Sequence, residues 1–171
     1  MGTGGTDFSS GLPENKLINE LPNQDARQLC ESANNFFDQV FTNENFCRLV
    51  FMTLGTFDPN TPIDGAMCRE SVKQCTEELQ QQPREKLDCA GPDGAGTSQD
   101  FAACPAPIRL FENCLNDTAD IFKEVFDALD CSAIEGKLIS QLGDATSVPT
   151  QPPPSCVELN RLCPGLIIQS N

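Results

Sequence analysis

The stretches 67–75 (MCRESVKQC) and 155–163 (SCVELNRLC) decide the fold, because each holds two cysteines seven positions apart. On an α-helix, residues at this spacing lie on one face with their Cα atoms about 10.5 Å apart. A disulfide needs Cα atoms within about 7 Å of each other. Within an intact helix the two cysteines of each stretch therefore cannot bond each other, and each needs a partner on another segment.

The cysteine spacing around these stretches occurs twice. In each copy, four cysteines and one glycine follow one another at steps of 17, then 8 or 12, then 13 and 7 residues. They are Cys30, Cys47, Gly55, Cys68 and Cys75 in the first copy, and Cys114, Cys131, Gly143, Cys156 and Cys163 in the second. The unequal step differs by four residues, about one helical turn. We interpret the pattern as an internal duplication with a longer second helix in the second copy.

Each copy contains three segments in which apolar residues recur at helical spacing. Helix starts are indicated by Thr42 or Asn43 and by Asp64 in the first copy. In the second copy they are indicated by Ser132 and Ser155, each followed three positions later by glutamate. We therefore predict an all-α fold with two pseudo-repeated three-helix units stapled by disulfides.

The same pattern divides the chain into five parts. They are a flexible N-terminal tether (1–22), three-helix repeat 1 (23–82), a disulfide-stapled connector (83–106), three-helix repeat 2 (107–165) and a tail (166–171). The tether is assigned from its Gly-, Ser- and Thr-rich start.

The direction of the third helix decides which cysteines pair within each copy. For an up-down-up arrangement the expected pairs are Cys30–Cys68, Cys47–Cys75, Cys114–Cys156 and Cys131–Cys163. For the opposite direction the first copy pairs Cys30–Cys75 and Cys47–Cys68, and the sequence leaves both arrangements open. The remaining Cys89 and Cys104 flank a Gly-rich connector and are expected to bond each other. All ten cysteines are thus interpreted as structural.

Composition bounds the compartment and the partners. Ten cysteines in 171 residues, with no Cys-x2-Cys pair, are typical of disulfides in an oxidising compartment. A net charge of −14 disfavours nucleic acid and anionic membrane surfaces as partners. No apolar stretch approaches the ~20 residues that span a bilayer. We expect a secreted protein, or one held at a bacterial envelope by a lipid anchor ahead of the Gly-rich start.

The residue types also limit the chemistry. The chain has no histidine, which excludes His-dependent nucleophile systems and removes the commonest metal ligand. The acidic loops 58–65 and 93–100 do not have the ligand spacing of a calcium loop, and turn chemistry explains them better. No pair of carboxylates stands out as a hydrolase site. We expect no enzymatic activity, no metal and no cofactor.

Phenylalanine is the remaining feature, with eleven in the chain and five of them between positions 36 and 51. Most are expected to pack in the core. Phe36 and Phe46 lie off the main apolar stripe, and they are the candidates for an exposed apolar contact or a pocket wall.

The cysteine rhythm, together with FENCLNDTADIF (111–122) and CVELNRLCPGL (156–166), resembles cysteine-rich predicted secreted proteins and lipoproteins of myxobacterial type. The resemblance covers about 25–165 and implies an exported envelope protein. It transfers no functional residue, because the family has no established activity. We therefore expect a non-enzymatic interaction or structural module with an unknown protein partner. The alternatives are a carrier of a small hydrophobic ligand and, third, a hydrolase that uses carboxylates.

Overall fold

The computed structural model describes residues 7–54, 58, 60–81, 89, 101, 103–142 and 151–164. These residues form seven α-helices and one short 3-10 helix (Ile18–Glu20), and they contain no strand. The α-helices are α1 (Asn23–Val40), α2 (Asn43–Leu54), α3 (Gly65–Gln81), α4 (Ile108–Ala128), α5 (Cys131–Ile134), α6 (Ile139–Leu142) and α7 (Pro154–Leu162). The predicted all-α class is confirmed.

The chain divides into two compact units that do not follow the order of the predicted repeats. Unit 1 contains Met1–Phe37, Lys86–Ala119 and Gln151–Asn171, and unit 2 contains Asp38–Glu85 and Asp120–Thr150. The helices α1 and α4 each contribute residues to both units. Since each unit combines segments of both predicted copies, the internal duplication stays a prediction.

Unit 1 has a core to which α1, α4 and α7 each contribute. Leu29, Ile108 and Leu159, one from each helix, are all 0% exposed. Phe8 packs against Phe36 with ring centroids 5.1 Å apart. An aromatic pair at this distance contributes about 0.5–1.5 kcal/mol beyond the burial of its area. The N-terminal segment that carries Phe8 is therefore part of the core of unit 1.

Residues 14–19 lie antiparallel to 104–109 in unit 1. Ile18 N–H donates to the Ala106 carbonyl at 2.9 Å, and three further backbone hydrogen bonds join the same two stretches. Ile18 is 1% exposed. The prediction that 1–22 form a flexible tether is therefore wrong for the described part, from residue 7 onward, because Phe8 and Ile18 are buried and the backbone of 14–19 is paired.

Unit 2 has a core between α2, α3 and the short helices α5 and α6. Seven residues form it: Cys47, Ile63, Cys68, Val72, Cys131, Ile134 and Leu142. The side chains of Cys75 and Leu79 pack against this cluster. The stripe Cys68, Val72, Cys75 and Leu79 that the helical spacing predicts is thus the inner face of α3.

The helix starts agree with the sequence in the first copy and differ in the second. Thr42 Oγ1 and Asp64 Oδ1 accept backbone N–H groups of α2 and α3 at 3.1 and 2.7 Å, which confirms both caps. The capping boxes of the second copy are wrong. Asp130 caps α5 by accepting the Ser132 N–H at 2.9 Å. The helix α7 begins at Pro154, and the preceding Pro153 provides no side-chain cap. A proline in the first turn already has the φ angle that a helix needs.

The predicted long second helix of the second copy is broken into α5 and α6. Gly136 lies between them with a φ of +77°, which ends a helix and favours glycine. Gly136 N–H donates to the Ile63 carbonyl at 2.9 Å, and the Lys137 carbonyl accepts the Ile63 N–H at 2.8 Å. The backbone groups that a continuous helix would use are thus bonded to the loop before α3.

All ten cysteines lie among the described residues and form five disulfides. The pairs are Cys30–Cys89, Cys104–Cys163 and Cys114–Cys156 in unit 1, and Cys47–Cys75 and Cys68–Cys131 in unit 2. The two cysteines of α3 bond different segments, as do the two at 156 and 163, which confirms the inference from helix geometry.

The individual pairings agree only in part with the predicted ones. Cys47–Cys75 and Cys114–Cys156 are confirmed. The predicted pairs Cys30–Cys68, Cys131–Cys163 and Cys89–Cys104 are wrong, as are the alternatives Cys30–Cys75 and Cys47–Cys68. Those predictions placed every disulfide within one copy or within the connector. In the structure the Cα atom of Cys68 lies instead 5.7 Å from that of Cys131.

Candidate functional site

An open groove of about 630 Å³ lies in unit 2 between α2, α3 and the start of α5. Three cationic and three anionic side chains line it, with a single aliphatic one. The lining residues are Glu44, Arg48, Arg69, Val72, Lys73, Thr76, Glu77, Gln80, Asp130, Cys131 and Ser132. Most of these lining residues are charged or polar, so the groove suits a ligand with polar groups or a segment of another protein.

The helix α3 forms the longer wall because its sequence has two faces. Cys68 and Val72 point to the core at helical spacing. Arg69, Lys73 and Glu77 recur every four residues and therefore lie on one side of the same helix. The core face fixes the rotation of α3, and this rotation places the charged row along the groove.

Arg48 holds the opposite wall in place. Its guanidinium donates to Glu44 Oε1 at 2.5 Å and lies 3.0 Å from Asp130 Oδ2. The Arg48 side chain is 18% exposed, which makes it the least exposed charged group among these ion pairs. A guanidinium shared by two carboxylates loses little further freedom on binding, so this wall is preorganised.

Asp130 stays ionised at neutral pH in this arrangement. The Ser132 hydroxyl, followed by the Ser132 backbone N–H, holds the pKa of Asp130 below its usual value. The positive charge of Arg48 lowers it further, while burial opposes the shift. Each of these hydrogen bonds favours the charged form of the carboxyl group.

The cations of α3 are less constrained. Arg69 Nη1 lies 3.3 Å from Glu135 Oε2, and both side chains are 55% exposed. Lys73 and Glu77 are exposed and form no ion pair with any other residue that the structure describes. One positive and one negative charge of the groove are thus available to a ligand.

The two phenylalanines proposed from the sequence lie elsewhere. Phe36 is 5% exposed and packs in unit 1, so the expectation that it forms an exposed contact is wrong. Its place off the stripe is explained by Phe8, which covers it from the N-terminal segment. Phe46 is half-buried in α2 and is not among the groove residues.

A second polar cluster lies in unit 1, and its side chains form hydrogen bonds with the N-terminal segment of the chain. Glu112 is 7% exposed, and its Oε1 accepts the N–H and the hydroxyl of Ser10 at 2.7 and 2.8 Å. Four residues further along α4, Asn116 accepts the Phe8 N–H at 2.6 Å and donates to the Phe8 carbonyl at 3.1 Å. These side chains hold the N-terminal segment in place.

The described part of the chain contains no group of three or more His, Cys, Asp or Glu side chains placed to hold a metal ion. In the loop 58–65, Asp58 accepts the Asn60 N–H at 2.9 Å, and Asp64 caps α3. Turn chemistry thus accounts for both carboxylates. The loop 93–100 lies outside the described residues. Among the helices that the structure describes, none is both long and apolar enough to cross a membrane.

Sequence reasoning did not find the groove. A row of charged residues of both signs on α3 is typical of a solvated helix face, and the Asp130 wall comes from a segment far away in sequence. The usable signal was Arg69, Lys73 and Glu77 beside an apolar stripe.

No known protein family, curated protein or solved structure matches this chain. The myxobacterial resemblance therefore stays an expectation.

Proposed function

We propose that this chain is an exported, non-enzymatic interaction module that binds a protein partner through the groove of unit 2. Its five disulfides are typical of an oxidising, extracellular or envelope compartment. The location at a bacterial envelope and the protein partner are part of the proposal.

The preorganised wall of the groove carries the proposal. Arg48 is fixed between Glu44 and Asp130, while Lys73 and Glu77 remain open on the facing wall. Arginine is among the residues that are enriched in protein interfaces. The volume of the groove, about 630 Å³, suits a segment of a polypeptide as its occupant.

The same lining argues against the two alternatives. A carrier of a hydrophobic ligand needs a mostly apolar cavity, whereas this groove has six charged side chains. A carboxylate hydrolase needs a general acid whose pKa is raised, whereas Ser132 and Arg48 lower the pKa of Asp130.

Site-specific photocrosslinking tests the proposal with a matched pair of positions. Gln80 and Gln74 are exposed glutamines on α3, and only Gln80 is a groove residue. A photoreactive amino acid at Gln80 of the full chain, exported by its own cells, should give one defined crosslinked protein. The same label at Gln74 should not give that product. The crosslink should also be lost when Arg48→Ala opens the opposite wall.

Equal labelling from both positions, or a Gln80 product that Arg48→Ala leaves unchanged, would argue against a partner in the groove. Circular dichroism and a non-reducing mass measurement of each variant confirm that the helices and the five disulfides are intact before crosslinking.

The proposal extends to an N-terminal lipid anchor. The sequence ahead of Asp7 contains three glycines among six residues, which is the composition of a flexible spacer. Detergent partitioning and intact mass of the protein taken from its own cells test this part. A water-soluble protein without added lipid mass would remove the anchor and leave the groove proposal unaffected.

A further inference from the structure

The free charges on the groove wall, Lys73 and Glu77, define a spacing that a partner must match. They lie one helical turn apart on α3, about 6 Å along its axis. They could in principle pair with each other, but lysine followed by glutamate four positions later is the weaker order for such a pair. Neither forms an ion pair with any other described residue. Both charges can therefore turn to a ligand.

An extended polypeptide offers the complementary spacing. Side chains two positions apart point to the same side of a strand and are about 6.6–6.8 Å apart. Neighbouring side chains point to opposite sides. An acidic and a basic residue separated by one residue would therefore reach Lys73 and Glu77 together, whereas an adjacent pair would not.

The charge of the whole molecule selects the same kind of segment. At a net charge of −14, the protein repels a uniformly acidic partner over a Debye length. The groove itself holds three cationic and three anionic side chains, so a uniformly basic segment would meet like charges there as well as opposite ones. A segment with one charge of each sign can place each charge against its opposite.

We propose that the groove binds an extended polypeptide segment with an acidic and a basic side chain two positions apart, the acidic one against Lys73 and the basic one against Glu77. This inference rests on the proposed function and names the chemistry of the partner. Arg69 lies one turn before Lys73 on the same face and adds positive charge at the acidic end.

Two peptides of equal composition test the spacing. Acetyl-TTETKTT-amide places glutamate and lysine two positions apart, and acetyl-TTEKTTT-amide places them side by side. Blocked ends remove terminal charges, and threonine favours the extended backbone. Each is titrated into the isotopically labelled full chain, and amide shifts are followed by NMR. The spaced peptide should shift amides of α3 around Lys73 and of Ser132, and bind about two- to fivefold more tightly than the adjacent one.

Single neutral variants test the two contacts. Lys73→Gln and Glu77→Gln should each weaken the spaced peptide about two- to fivefold, to the level of the adjacent peptide. The matched controls are Lys137→Gln and Glu124→Gln, exposed residues of unit 2 outside the groove lining, and they should leave the affinity unchanged. At about 1 M salt, where the Debye length is about 3 Å, the difference between the peptides should largely disappear.

Equal affinity of the two peptides, shifts outside the groove, or the same loss in the control variants would overturn the inference. If these results came together with a Gln80-specific crosslink, the groove would still bind a protein by other contacts. If instead Gln80 gave no specific product while the spaced peptide bound as expected, the peptide preference would stand and the proposed cellular role would fail.

Discussion

Cys68 in α3 is bonded to Cys131 at the first residue of α5, although 63 positions separate them in the sequence. Their Cα atoms are 5.7 Å apart. The bond joins the segments that form the two sides of the groove near Asp130. The wall containing Asp130 and Ser132 is therefore covalently fixed to the helix that carries Lys73 and Glu77.

Peptide mapping without reductant should recover this connectivity. We expect linked fragments for Cys30–Cys89, Cys68–Cys131 and Cys104–Cys163 in addition to Cys47–Cys75 and Cys114–Cys156, with no free thiol. A fragment joining Cys30 to Cys68, or Cys89 to Cys104, would contradict the structure and favour copies that close on themselves.

Removal of the Cys68–Cys131 bond should destabilise unit 2. The double variant Cys68→Ala with Cys131→Ala leaves no unpaired thiol. For a loop of 63 residues the chain-entropy estimate is about 4 kcal/mol, an upper limit because the Cys47–Cys75 bond already constrains part of the loop. Denaturant unfolding measures the loss. A midpoint equal to that of the unmodified chain would show that the bond constrains nothing in the unfolded state.

Ser10→Ala should loosen the N-terminal segment. The change removes the hydroxyl that donates to the buried Glu112 carboxylate and keeps the bond from the Ser10 N–H. A hydrogen bond to a charged group contributes about 1.5–3 kcal/mol, and we expect a loss in this range. Hydrogen exchange of the Phe8 and Ser10 amides should accelerate. The control is Ser9→Ala, at an exposed neighbour whose hydroxyl accepts the Gly11 N–H at 3.4 Å. Because this bond is long and exposed to solvent, its loss should change neither quantity appreciably.

The ionised carboxylate of Asp130 should contribute to the stability of unit 2, so part of this stability should depend on pH. Its pKa is lower in the folded chain than its ordinary value of 3.8. The contribution is therefore fully present above about pH 3.8, the unfolded-state value, and is lost as the pH falls through the lower folded-state pKa. We expect the difference in unfolding midpoint between the unmodified chain and Asp130→Asn to be constant at neutral pH and to shrink below that value.

The control for this titration is Asp127→Asn. Its carboxylate is exposed and makes no hydrogen bond with another residue that the structure describes. A similar loss of pH dependence in both variants would indicate a general charge effect in place of the local bonds from Ser132 and Arg48.

Local physical rules predicted the features that depend on neighbours in sequence. The helix class, the caps at Thr42 and Asp64, and the need of Cys68 and Cys75 for different partners follow from helix geometry. The partner of Cys68 does not, because spacing on one helix says nothing about which distant segment lies beside it. Because the cysteine spacing repeats regularly, disulfides within each copy were the simplest prediction. In the structure Cys68 of the first copy is bonded instead to Cys131 of the second.

The other misses have the same origin. Residues 7–12 look like a polar linker, and the apolar Phe8 and Leu12 were the only signs that the segment packs. The two side chains that hold it, Glu112 and Asn116, lie more than 100 positions away. The break of the helix at Gly136 likewise depends on a hydrogen bond from its N–H to the carbonyl of Ile63, in a distant loop. Long-range pairing of this kind leaves no local pattern.

The order of the cysteines has a consequence for biogenesis. All ten are described, and none of the five bonds joins two cysteines that are neighbours in sequence. A chain threaded N-terminus first into an oxidising space exposes Cys30 and Cys47 well before Cys89 and Cys75, and Cys104 well before Cys163. Oxidation in order of emergence would couple the wrong thiols. Maturation should therefore depend on thiol–disulfide exchange by an isomerase, and a host without one should accumulate scrambled isomers of identical mass.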